Sequence, residues 1–210
     1  MNEQSPDKWK PALVNKRFRI TFFVSVLVLA IILFFLTMFL EYAEARKGVI
    51  LTDPILQLLT AADFTWIIFA VIYLSLIAAL ISLLPHPSHL LFAVQLYALM
   101  VFTRIIAMYL LSLEPPEGMI LLKDPFVELF GTGSTLTKDL FFSGHTASIL
   151  IFFLTAKDKV FKIIFLTALI LIAVLIILQK IHYTIDVYAA VFFTLSCYYI
   201  LKAAKEKYNI

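Results

Sequence analysis

The sequence holds a single cysteine, Cys197, among 210 residues. This excludes an intramolecular disulfide and a cysteine-built metal site, and leaves the redox compartment unreadable. Charge is scarce as well: Asp, Glu, Lys and Arg make up 15% of the chain against 62% hydrophobic residues, and the mean hydropathy is +0.98. So few charges cannot cover so much apolar surface in water. An ordinary soluble domain is excluded, and the bilayer must be most of the solvent. A strong excess of one sign is also missing. The net charge is +3, with the basic residues scattered at the ends of apolar runs, which speaks for membrane topology and against nucleic-acid binding. Repeats, low-complexity tracts and a polar segment large enough for a second domain are absent from the sequence.

What the chain does have is six apolar runs, at 19–40, 64–84, 89–112, 145–156, 162–180 and 184–202. The fourth is short for a span of ~20 residues. Either it begins earlier, near Phe141, or it crosses shielded by its neighbours. The first run follows a basic stretch and ends near Ala43-Glu44-Ala45, a pattern similar to a cleavable leader. Its apolar part, Ile20 to Leu40, is far longer than the ~7–15 residues of a leader's core, so it reads as a retained helix. The expectation is an all-α, polytopic membrane protein: one six-span domain over 16–210, preceded by a polar cytoplasmic tail over 1–15. That tail contains Pro6 and Pro11 and an interfacial segment around Trp9.

Basic residues then assign the sides. Five lie at the N-terminus (Lys8, Lys10, Lys16, Arg17, Arg19), three at Lys157, Lys159 and Lys162, and three at Lys202, Lys205 and Lys207, which makes eleven. The opposite side carries five: Arg46, Lys47, Lys123, Lys138 and Lys180. The positive-inside rule puts both termini in the cytoplasm. The connections at 41–63 and 113–144, and the short link near His182, then face outward.

Two histidines and a carboxylate fall at that outer face. His145 sits at the start of the fourth run, and His182 and Asp186 sit at the start of the sixth. Residues four apart share a helix face, so Asp186 can reach His182 if the helix has begun by then. A carboxylate ahead of a wholly apolar helix costs several kcal/mol unless paired. An Asp behind a His fixes the ring tautomer and leaves the other nitrogen as nucleophile or base. His145 supplies the complementary acid–base step. Ser143, Gly144 and Thr146 surround it at a helix start, where N–H groups, a close-approaching glycine backbone and hydroxyls suit a phosphate. Arg104, inside the third run, is a candidate phosphate clamp.

Plainer readings stand beside these. His182 and Asp186 also fit a structural pair at a helix end. Arg104 also fits a side chain that snorkels or pairs with Glu114 or Glu117. Tyr183 and Thr184 also fit packing and cap residues. His86 and His89, beside prolines, read as satisfied interfacial residues.

The motifs resemble a known family. "FSGHT" at Phe142–Thr146 and "HYTIDV" at His182–Val187 resemble the third and fourth motifs of the sphingomyelin synthase family, the C-terminal-type branch of the type 2 phosphatidic acid phosphatase (lipid phosphate phosphatase) superfamily. Asp139 matches that family's Asp six residues before the histidine. "TRIIAMYLLSLEPP" at Thr103–Pro116 is similar to the second motif, and "LTDP" at Leu51–Pro54 is weakly similar to the first. The likeness spans about residues 15–205.

The resemblance implies a six-span bundle of the lipid phosphate phosphatase type that needs no cofactor or metal. His182 is implied as the nucleophile toward a phospholipid donor, with Asp186 orienting it and His145 serving as acid and base. A lipid alcohol such as ceramide is implied as acceptor. Arg104, Ser143, Gly144, Thr146, Asp139 and Tyr183 are the expected phosphate- and substrate-binding residues. The bare catalytic core is of the kind associated with bacterial members.

The chain also departs from the pattern. Thr137-Lys138 stands where the family has Cys-Gly, which places an extra cation beside the expected site. Ile176 replaces the superfamily's Arg six residues before the nucleophilic His, and its Lys- and Arg-Pro first motif is not evident. These departures favour the synthase branch over an ordinary acid phosphatase. Tyr109, Tyr183 and Phe142 are candidates to pack on a quaternary ammonium. Three functions stay open: headgroup phosphotransferase, lipid phosphatase or phospholipase C-type hydrolase on the same site, and non-catalytic membrane protein.

Overall fold

The computed structural model describes residues 8–122 and 136–208. Within them the chain is helical: α1 (Trp9–Val14), α2 (Lys16–Ala45), α3 (Pro54–Leu58), α4 (Thr65–Leu83), α5 (Pro87–Leu110), α6 (Gly144–Thr155), α7 (Lys159–Leu178) and α8 (Thr184–Tyr208). Five of these, α2, α4, α5, α7 and α8, are long and apolar enough to cross a membrane. Residues 1–7, with Pro6, and the stretch holding Lys123 lie outside the described residues.

The N-terminal segment departs from the expected tail. From Trp9 onward it is a short helix seated on the bundle, because Trp9 Nε1 donates to the Leu84 carbonyl at 2.6 Å and Ala12 is buried with Phe18 and Leu91. Asn15 then ends α1 and caps α2, accepting from Phe18 N at 3.1 Å. The 30 residues of α2 run ~45 Å, beyond the expected 19–40 at both ends. It packs on α5 and buries little of its apolar surface. An all-apolar helix so little covered by protein is suited to face lipid.

The centre belongs to α6. It contacts α4, α5, α7 and α8, and its two faces enter two different cores. Ala147 and Ile151 pack with Leu96, Met100 and Ala190, while Ile149 packs with Ile68, Ile172 and Ile176. With 12 residues it is ~18 Å long, short of the ~30 Å hydrocarbon thickness. It does not begin at Phe141. Ser143 takes the N-cap, and its Oγ accepts from Thr146 N, so the helix starts at Gly144. Of the two ways foreseen for so short a run, it is the shielded one: half of the helix is buried among its four neighbours.

Two connections close over the end of the bundle where α6 and α8 begin. Val49 N donates to the Ser112 carbonyl (2.9 Å) and Glu114 N to the Val49 carbonyl (3.0 Å). Gly48 allows this, since a Cβ there would lie 2.6 Å from the Leu113 carbonyl carbon. At the end of α7, Lys180 takes a left-handed conformation (φ 57°), with Lys180 N bonded to the Ile177 carbonyl and Ile181 N to the Ile176 carbonyl. This turn normally uses glycine. It reverses the chain within three residues and delivers His182 to the start of α8.

Candidate active site

Helix α8 begins at Thr184, two residues after His182. His182 and Asp186 therefore do not meet as two positions on one helix face. Asp186 is the third residue of the helix and reaches back over its own N-terminus. Its Oδ2 accepts from Tyr183 N at 2.9 Å and lies 3.2 Å from His182 Nδ1. The first of these contacts is the back-reaching half of a capping box, which satisfies an orphan amide. The second fixes the imidazole: Nδ1 carries the proton toward the carboxylate and Nε2 is left with its lone pair. Both groups are buried, and Asp186 Oδ1 has no hydrogen-bond partner among the described residues.

The second histidine faces the first. The rings of His145 and His182 lie 6.1 Å apart, centre to centre, inclined at 71°. Each ring stands at a helix start, and a backbone bond joins the two starts: Ser143 N donates to the Asp186 carbonyl at 3.2 Å. The pair is thus set by the junction of α6 with α8.

Arg104 comes from α5 and is buried. Its Nε donates to the Phe142 carbonyl and its Nη2 to Asp139 Oδ1, both at 2.6 Å. It pairs with neither Glu114 nor Glu117 in this way; Glu114 instead holds Lys138 (2.9 Å). Gly144 makes room for the guanidinium, since a Cβ at 144 would sit 3.2 Å from Arg104 Cζ. The glycine therefore serves close packing on Arg104. The expected bidentate clamp on phosphate is not what this arrangement offers: two of the three guanidinium nitrogens are engaged within the protein, and Nη1 is left beside Gly144.

Other expected binding residues are engaged elsewhere. Thr146 Oγ1 lies 3.1 Å from Ser143 Oγ, so these two buried hydroxyls form a cap network. Tyr183 is buried and points away from the histidines, with its hydroxyl donating to the Glu114 carbonyl and accepting from Leu51 N. Phe142 is fully buried and stacks on Phe193 at 5.1 Å, and the Tyr109 ring carries Arg46 at 5.4 Å. Lys138 is not a loose cation beside the site, because its Nζ bonds Glu114 and the Arg46 carbonyl.

A cavity of about 240 Å³ opens below this junction. Arg104, Asp139, Gly144 and His145 form its polar end. Leu36, Ile72, Leu76, Met100 and Ile149 are among its apolar walls, drawn from α2, α4, α5 and α6. His182 does not line it and sits behind His145. The arrangement offers an imidazole held in one tautomer, a second imidazole facing it, a guanidinium and an apolar shaft, which together suit acid–base or nucleophilic work on an amphiphile. Among the described residues, no three His, Cys, Asp or Glu side chains are grouped to hold a metal ion.

Two supporting residues, Gln179 and Glu44, escaped the sequence reading, and a third, Asp53 of "LTDP", was given no role there. Asp53 Oδ2 accepts from Thr184 N (2.7 Å) and its Oδ1 lies 3.1 Å from Thr184 Oγ1, while the same carboxylate caps α3 through Ile55 N and Leu56 N. One side chain thus caps two helices, one of them the helix of Asp186. The carboxyl is held below its ordinary pKa: burial pushes it up, but the hydrogen bonds from Thr184, Leu56 and Ile55 outweigh that. Gln179 is fully buried, accepting from Phe64 N and donating to Thr65 Oγ1 and the Ile120 carbonyl. Glu44, at the end of α2, accepts from Thr137 N and Lys138 N just ahead of Asp139. Only Asp53-Pro54 carried a sequence signal, that of a cap followed by proline at the first helical position.

Residues 138–203 match the family model described as PAP2 superfamily C-terminal. The span covers less than half of the chain but contains His145, His182 and Asp186 and all of α6 and α7. It supports membership of the PAP2 (lipid phosphate phosphatase) superfamily and, with the apolar helices, an integral membrane enzyme of the phosphatase or phosphotransferase type acting on lipids. No curated protein and no solved structure matches the chain.

Proposed function

We propose that the protein is a membrane lipid headgroup phosphotransferase, similar to sphingomyelin or ceramide phosphoethanolamine synthases. In this reading it works at the outer membrane face, with both termini in the cytoplasm. The observation that carries the reading is the His182–Asp186 pair, with His145 across from it at 6.1 Å, above a shaft walled by aliphatic residues. A soluble phosphate ester has no use for such a shaft, whereas an acyl chain does.

The proposed steps are these. His182 Nε2 attacks the phosphorus of a glycerophospholipid. The new N–P bond forms as the P–O bond to diacylglycerol breaks, and the departing alkoxide takes a proton from His145. Asp186 stabilises the charge that develops on the His182 ring. The hydroxyl of a lipid alcohol such as ceramide then loses its proton to His145 and attacks the same phosphorus, and the N–P bond breaks. Arg104, held by Asp139 and the Phe142 carbonyl, keeps a positive charge at the mouth where the phosphate arrives. His182 is 3% exposed, so side chains at the mouth must move for the donor to reach it.

Hydrolysis is the second reading, favoured by the superfamily match. The first step is unchanged and water replaces the lipid alcohol in the second. The deciding experiment uses purified protein and a phospholipid labelled in its headgroup, with and without ceramide or diacylglycerol, beside His182→Ala. Label on a new lipid, dependent on acceptor and absent from the variant, supports transfer. Label released only as a water-soluble headgroup phosphate supports hydrolysis. No turnover of any donor overturns both.

A further inference from the structure

A second cavity, of about 660 Å³, lies at the other end of the bundle. It is walled by the C-terminal end of α6 (Leu154, Thr155), the first turn of α5 (Ser88, His89), the start of α7 (Lys162) and the distal part of α8 (Tyr198, Lys202), with Lys157 from the α6–α7 connection. The same helices carry Arg104, His145 and Asp186 at their opposite ends. None of the described residues lines both cavities, and on α6 His145 at the polar end of the first stands ten residues, ~15 Å, from Thr155 in the second, so this cavity is distinct from the polar end of the candidate active site.

Its chemistry is one-sided. Three lysines, Lys157, Lys162 and Lys202, line it, and no carboxylate does so among the described residues. The first turn of a 24-residue helix, α5, adds the positive end of its dipole. Beside these cations stand Leu154, Phe92 and Tyr198, the two aromatic rings meeting edge-on at 5.6 Å, and Lys205 Nζ rests over Phe92 at 5.3 Å. A purely electrostatic surface for soluble anions needs no such apolar floor. Cations above an apolar wall, at the end of membrane-crossing helices, match a phosphate group with hydrocarbon attached.

We infer that this cavity binds the phosphate headgroup of an anionic phospholipid in the leaflet opposite the candidate active site. The site neither takes part in the phosphoryl chemistry nor depends on it. It gives the protein a means of sensing or anchoring to the negatively charged leaflet.

The test is native mass spectrometry of the full chain carrying His182→Ala, so that no lipid is consumed and failure of the catalytic reading leaves the result untouched. The protein is offered equal amounts of phosphatidylglycerol and phosphatidylcholine. The expected result is preferential retention of phosphatidylglycerol by about 10-fold or more, falling to the phosphatidylcholine level in Lys162→Gln/Lys202→Gln. Lys162→Arg/Lys202→Arg is expected to keep the preference. Lys159→Gln, an exposed lysine of the same turn that does not line the cavity, is also expected to keep it. If the double Gln variant is unstable, Lys202→Gln alone supplies the reading through a partial loss.

Equal retention of phosphatidylglycerol by the native-lysine protein and the Gln variants overturns the inference. So does displacement of the lipid by millimolar sn-glycerol 3-phosphate, which would make the ligand a soluble phosphate.

Discussion

Ser143 and Asp186 share one backbone hydrogen bond, Ser143 N to the Asp186 carbonyl at 3.2 Å. Through it the start of α6, carrying His145, is fixed to the first turn of α8, which Asp186 connects to His182. Each helix start is separately capped, by the Ser143 hydroxyl on one side and by the Asp186 and Asp53 carboxylates on the other. The two imidazoles are therefore held by ordinary helix-end chemistry, arranged so that two ends coincide.

Asp186→Asn keeps the shape but removes the charge behind His182 and lets the ring take the wrong tautomer. Turnover is expected to fall about 10³- to 10⁴-fold, the scale seen when the carboxylate of a Ser-His-Asp triad is neutralised. Steady-state rates on the donor identified with labelled phospholipid check this. A loss under 10-fold would make the pair a structural cap only.

Gly144→Ala places a methyl group 3.2 Å from Arg104 Cζ. The guanidinium is hemmed in by Asp139 and the Phe142 carbonyl, so it must shift rather than swing away. Relieving that contact takes a few tenths of an ångström; since about 1 Å near the reacting groups costs on the order of 10²-fold in rate, a loss of roughly 10-fold or less follows. The expected outcome is that loss, with a far smaller change in melting temperature, read by parallel activity and thermal-unfolding assays.

Asp53→Ala removes the acceptor shared by Thr184, Ile55 and Leu56 and is expected to cost about 1–2 kcal/mol, as for a lost helix cap. The native protein should show a matching acid limb. Because the folded Asp53 pKa is lowered, its contribution is fully present above the ordinary aspartate value near ~4 and is lost as pH falls through the lower folded value. Thermal unfolding measured across that range should show the two proteins converging at the acid end, whereas a constant gap would contradict the assignment.

Much of this architecture is legible in the sequence, though not always for the reason first given. Uniform apolar runs betray α2, α4, α5, α7 and α8 because a lipid-facing helix must be apolar throughout. The spacing of His182 and Asp186 points to their pairing, yet the helix begins after His182 and the contact is a reach-back over the N-terminus. The fourth apolar run, 145–156, lies within a residue of α6, and its extension back to Phe141 fails because the cap at Ser143 decides the boundary although hydrophobicity continues through Leu140, Phe141 and Phe142. Asp53 with Thr184, Arg104 with Asp139, and Gln179 with Phe64 are hydrogen bonds between segments far apart in the chain. Such bonds leave no periodicity in either partner. The orientation of Tyr183 and the pairing of Lys138 with Glu114 are likewise set by the folded loops.

Lys180→Gly should stabilise the protein. Lys180 holds φ at 57° in the turn that ends α7, a conformation that costs a side-chain-bearing residue about 1 kcal/mol. Part of the gain is returned through the greater freedom of glycine in the unfolded chain. A rise of a few tenths to about 1 kcal/mol in the free energy of unfolding, with activity unchanged, is the expected outcome.

The central claim is that His182 carries the headgroup phosphate covalently. The direct measurement is to mix the protein with a headgroup-labelled donor in the absence of acceptor, quench at alkaline pH, where phosphohistidine survives, and map the modified peptide by mass spectrometry. The account predicts the headgroup phosphate on His182 and its disappearance when acceptor is added. Turnover that persists in His182→Ala, or a label found on another residue, would contradict it.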